Sequence, residues 1–257
     1  MSALASSQSE EWHNRSLVSL ANFLAELGRI NEASFVLEQG IAHDHSRGQN
    51  ALESDKKLRL AYLHYQENKL ELARQYALDA STSDRSAAGL LATGTLLARV
   101  GLISEAKAAL AQILSGPSFQ RTEFAIYRLR GEIDLTQGNF QSAISNLNQA
   151  ARLARPRERD DYLARALRVA GRNDAARQAY KNLVDHPARI WLYGDSSIPG
   201  LWAASATQFL RLVEQPERED CRVLADLVHF RHDADHEEAA SIDDIHYNVQ
   251  SCPTRIF

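Results

Sequence analysis

At 257 residues, with 44% apolar and 24% charged side chains, the chain has the composition of a folded protein with enough apolar residues for a substantial core. A net charge of −4 argues against nucleic acid as a partner, because polyanion binders carry a basic excess as well as a basic patch. Cys221 and Cys252 stand far apart with no CxxC unit, which excludes a cysteine zinc site or a disulfide framework and predicts two reduced thiols.

The N-terminal stretch MSALASSQSEEW has neither the basic start nor the apolar run of a secretory signal. No apolar run reaches the roughly 18 residues needed to cross a bilayer, since Arg99 interrupts the best candidate, GLLATGTLLARVGLISEA. A cytoplasmic chain without membrane insertion is the expectation.

The first element, over 14–46, reads as two helices broken at Gly28. The second of them opens GRINEASFVL, with an alanine five positions after the glycine. The same spacing returns in NKLELA, ending at Ala73 with Asn68 in place of glycine, and over 54–86 it joins two further helices. It recurs as GLISEA within 87–119, GNFQSA within 124–156 and GRNDAA within 157–188. In the fourth unit YRLRGEIDLTQG forms a helix closed by Gly138, a residue suited to the left-handed C-cap. There Phe140, Ala143, Ile144, Leu147, Ala150 and Ala151 fall at spacings of three and four, one face of a second helix.

Two antiparallel helices joined by so short a turn must pack on each other. The alanine after each turn, and the small residue seven places before it (Ala21, Ala61, Gly94, Gly131, Ala164), fall where the helix axes approach most closely. The extra residues in HDHSRGQN and SGPSFQR are expected as loops between units. Arg130 and Asp134, four apart on one helix, are expected to form an ion pair.

Five units with a small residue in the first helix, glycine at the turn and alanine early in the second resemble the tetratricopeptide repeat family, with about 34 residues per unit. Larger residues follow the alanine at Leu37, Leu110, Leu147 and Tyr180, with Ala77 departing in the second unit. The resemblance implies an all-α fold, a right-handed superhelical solenoid of antiparallel hairpins. It also implies a non-enzymatic scaffold that binds a partner's helix or extended segment in a concave groove. The family's tryptophan is replaced by Leu17, Leu90 and Tyr127. Of the positions with which some members hold a chaperone's terminal carboxylate, only Asn22 matches, while Val18, Ala88 and Arg59 depart, so that specificity does not transfer.

Mapping the inward-facing positions of the first helices gives Arg15, Asn22, Tyr62, Tyr65, Arg99, Arg128, Glu132, Asp161, Arg165 and Arg168 as candidate groove residues. Arginines dominate the C-terminal half, a lining that suits a partner with an acidic segment, because guanidinium grips carboxylate bidentately. The competing expectation is that these charges satisfy one another, through Glu132 and Asp161.

Residues 1–188 thus form five hairpins, and 189–231 a degenerate repeat or capping hairpin. Pro187 and Pro199 bracket its link, Trp202, Phe209, Leu210 and Val213 lie on its first helix, and EREDCRVLADLVHFRH is its second. Residues 232–257, acidic and low in apolar side chains, are expected to be a mobile tail. A regulatory sensor is the alternative function, in which Asp233 to Asp244 compete with a ligand for the groove arginines. His229, His232 and His236 offer a helical spacing for a metal-dependent enzyme, beside Asp233 and Asp235, yet with no second ligand cluster. Gly194-Asp195-Ser196-Ser197 reads as a turn before a proline, and not as a nucleophile elbow. No cofactor, metal or catalytic residue is expected.

Overall fold

The computed structural model describes residues 2–82, 84–116, 120–154, 161–185, 201–212 and 218–230. Their secondary structure is helical throughout: α1 (Ser2–Glu26), α2 (Ile30–Ser46), α3 (Asn50–Gln66), α4 (Leu70–Ala80), α5 (Ala87–Arg99), α6 (Ile103–Ser115), α7 (Gln120–Thr136), α8 (Phe140–Leu153), α9 (Tyr162–Val169), α10 (Asn173–Val184), α11 (Leu201–Arg211) and α12 (Arg218–Phe230). Neighbouring helices pack in sequence order, as in a helical repeat. The odd-numbered helices from α3 to α9 also touch the next odd one, so they form one continuous layer. No described helix is long and apolar enough to cross a membrane.

The turns explain the recurring glycine. Gly28, Gly101, Gly138 and Gly171 have φ between 72° and 86°, and Asn68 takes the same left-handed conformation at 59°. In each turn the residue after this one donates its N–H to a carbonyl five positions back, for example Arg29 to Leu24 at 2.9 Å and Asn139 to Asp134 at 2.8 Å. This Schellman closure satisfies carbonyls that the helix end would leave open. Asn68 can replace glycine because asparagine tolerates the left-handed region better than most side chains.

Immediately after each turn the chain packs at close range. Ala33, Ala73, Ala106, Ala143 and Ala176 are fully buried, as are Ala21 and Ala61 on the preceding helices. A Cβ on Gly131 would lie 2.4 Å from Cγ of Leu147, and one on Gly94 would lie 2.8 Å from Leu129 Cδ2 and 3.0 Å from Ala109 Cβ. Side chains from the partner helix therefore fill the space that a larger residue would need. The core is serial, with clusters shared across hairpin boundaries: Ala21, Leu24, Ala33 and Leu37 of the first hairpin enclose Leu60 and Leu63 of α3. A second cluster joins Ala164 and Tyr180 to Trp202, Phe209 and Leu224 of the last hairpin.

Three expectations are corrected. HDHSRGQN is not a loop: α2 continues through His43, Asp44, His45 and Ser46, and α3 starts at Asn50, leaving only Arg47–Gln49 as a turn. The added turn of helix is fixed by polar contacts, since Lys56, with no exposure, donates through Nζ to Asp44 at 2.5 Å and to Asn14. Asp134 does not pair with Arg130. It accepts from Ser142 Oγ at 2.6 Å and Asn146 Nδ2 at 2.9 Å, because α8 lies within closer reach than the exposed Arg130. Cys221, 1% exposed, stands in a disulfide and not as a free thiol. The chain's other cysteine, Cys252, lies outside the described residues.

Candidate functional site

Three hairpins contribute to one buried charge cluster. Glu132 on α7 has no exposure, and Arg99 of α5 donates to it through Nη2 at 3.0 Å. Arg165 of α9 donates to its other oxygen, and Arg128 Nε lies 3.9 Å away one turn earlier on α7. Arg99 also donates to Asp161 at 2.9 Å, spanning from the third hairpin to the fifth. Two carboxylates thereby tie together arginines that would otherwise be costly to withdraw from water.

Aromatic rings complete the enclosure. The Arg128 guanidinium lies 4.3 Å from the centroid of Tyr162, and that of Arg99 lies 5.9 Å from Tyr62, which is 1% exposed. Such contacts suit guanidinium, which is less strongly hydrated than ammonium and presents a flat face to the ring. Burial, followed by repulsion from Arg99, pushes the Arg165 guanidinium down to about 9. Burial and the nearby Asp161 push the Tyr180 phenol up to about 12, against the opposing pull of Arg168.

The candidate groove residues therefore divide into two sets. Tyr62, Arg99, Arg128, Glu132 and Arg165 are brought together and largely withdrawn from solvent, so the competing expectation of internal pairing describes them. Arg15 and Arg168 are exposed, while Asn22 and Tyr65 are half-buried. Asn22 accepts from Arg59 Nη1 at 3.5 Å, and Tyr65 packs against the core cluster of α3–α7.

Glu26, which the sequence did not mark, is the polar residue that joins the two ends of the stack. Its carboxylate accepts from the backbone N–H of Trp202 at 3.1 Å and of Ala203 at 2.9 Å. Its place as the last residue of α1 was the available signal, because an acid at a helix C-terminus is unfavourable for its own helix dipole.

Elsewhere, a polar cleft is lined by His45, Asn50, Glu53, Ser54, Lys57, Asp79 and Thr82. Within it Glu53 is bound by Lys57 at 2.6 Å and His45 at 3.2 Å, and Ser54 Oγ donates to Ala80 O at 2.5 Å. On the first hairpin Leu20, Phe23 and Phe35 are 46%, 57% and 61% exposed. No group of histidine, cysteine and carboxylate side chains able to hold a metal occurs among the described residues. His232 and His236, Gly194–Ser197, Pro187, Pro199, Val213 and the acidic tail lie outside the described residues. The chain matches no protein-family model and no curated protein.

Proposed function

We propose that the chain is a non-enzymatic interaction module of the tetratricopeptide type. In this reading it is a right-handed superhelical solenoid whose inner layer, the odd-numbered helices from α3 to α9, receives an acidic helix or extended segment of a partner protein. The observation that carries the reading is the concentration of guanidinium groups on α5, α7 and α9, of which Arg168 stands in solvent while Arg99, Arg128 and Arg165 form the buried cluster. Arg168 hydrogen-bonds the Tyr180 phenol, and its exposed guanidinium has further donors with which to meet a carboxylate. The buried arginines set the shape and the field of the surface around it.

The test uses residues whose loss spares the fold. Immobilised wild-type protein and the variants Arg168→Glu and Phe35→Ser are compared for proteins captured from the source lysate, with folding matched by circular dichroism. A protein recovered by wild type and by Phe35→Ser, but lost by Arg168→Glu, is the expected result. Retention by Arg168→Glu with loss by Phe35→Ser would move the interaction to the apolar surface of the first hairpin.

A further inference from the structure

We propose that Glu26 is the latch of an autoinhibitory closure, which rests on the reading that the inner layer is the binding surface. Glu26 ends α1, and the amides it holds belong to the first turn of α11, 176 and 177 residues further along the chain. Those amides have no acceptor within their own helix, so a carboxylate at this point satisfies two orphan donors and meets the positive end of the α11 dipole. The group is 7% exposed. In that setting charge-assisted bonds to backbone N–H are at their strongest.

The latch positions more than itself. Leu201, the first residue of α11, is 2% exposed and belongs to the same apolar cluster as Leu58, Tyr62, Leu97 and Ile133 of the inner layer. Trp202 donates through its indole Nε1 to Val184 O at 3.2 Å, which anchors α11 to α10 independently of Glu26. α11 is thus held to the fifth hairpin by its indole and to the first by its amides, and the two ends of the stack meet at Glu26. While they meet, Leu201 covers inner-layer apolar surface. When they part, that surface is exposed and the inner layer opens to a partner.

The test compares full-length wild type with Glu26→Gln and Glu26→Ala by amide hydrogen exchange and by binding of the apolar dye anilinonaphthalene sulfonate. In Glu26→Ala the amides of Trp202 and Ala203 exchange about ten-fold faster, the loss expected for removing a helix cap. The Ala143 amide, bonded to Asn139 O within the fourth hairpin, keeps its wild-type rate. Dye binding rises, with Glu26→Gln intermediate. Unchanged exchange at Trp202 and Ala203 overturns the latch. So does acceleration spread evenly over α1–α10, since Glu26 would then support the whole stack. Local opening without a rise in dye binding overturns the autoinhibitory role. Failure of the binding reading is seen separately, as partner capture by wild type that Arg168→Glu does not weaken.

Discussion

Lys56 lies directly against Gly40: a Cβ on the glycine would stand 2.6 Å from both Cδ and Cε of the lysine. The lysine stem cannot swing aside, because Nζ is held by Asp44 and Asn14 and the side chain has no exposure. Gly40→Ala improves helix propensity by about 1 kcal/mol. Overpacking costs roughly 1–3 kcal/mol, so the variant is expected to be neutral at best and in most outcomes less stable, as read by urea denaturation. Combining it with Lys56→Ala relieves the clash, and the two changes are non-additive.

Glu132→Gln removes the carboxylate that Arg99 and Arg165 share. Breaking a buried pair from one side leaves its partners as uncompensated buried charge, and a loss of about 3–5 kcal/mol is expected in equilibrium denaturation. Arg168→Gln, at an exposed position beside the cluster, is expected to cost only about 1 kcal/mol, the size of its one hydrogen bond to the Tyr180 phenol.

His64 provides the acid sensitivity. It is buried against Tyr76, with ring centroids 5.5 Å apart, and burial holds its imidazole below the ordinary 6.5, against the raising influence of Glu67. The neutral ring is favoured when folded, so below about pH 6.5 the unfolded chain binds more protons than the folded one. Stability is therefore level above that pH and declines as the pH falls towards 5. Melting temperatures across this range test the sign, and His64→Phe flattens the profile.

The packing register is tested on α8 alone. Ala143, fully buried, faces α7, whereas Ala151 on the same helix is exposed. Ala143→Leu is expected to lower stability by roughly 1–3 kcal/mol through overpacking, while Ala151→Leu leaves it nearly unchanged. Equal melting temperatures for the two would contradict the register.

The hairpins were legible because their determinants are local. A left-handed residue at the turn and a small residue on each side of the crossing are readable within a dozen positions, and Gly138, Ala143 and Gly131 behave as their spacing implies. The extension of α2 was missed because HDHSRG looks like a polar connection until Lys56 is seen to anchor Asp44. Glu132 and Asp161 were identified as internal partners, yet which arginine each takes depends on how successive hairpins stack. Glu26 was illegible as a contact, since its partners are backbone amides with no side-chain signature, 176 and 177 residues away along the chain.

Arg99, Glu132 and Asp161 lie on three consecutive hairpins, and the Arg99–Asp161 contact skips the one between. Arrays joined only through nearest neighbours can lengthen or shorten by whole units over evolutionary time, each copy docking as its predecessor did. Here a unit inserted between α5 and α9 would carry Arg99 out of reach of Asp161, and deletion of the fourth hairpin would strand guanidinium groups without their shared carboxylate. The charges thus tie the copy number of this middle section to its stability, whereas the same contacts place no such demand on units added at the ends.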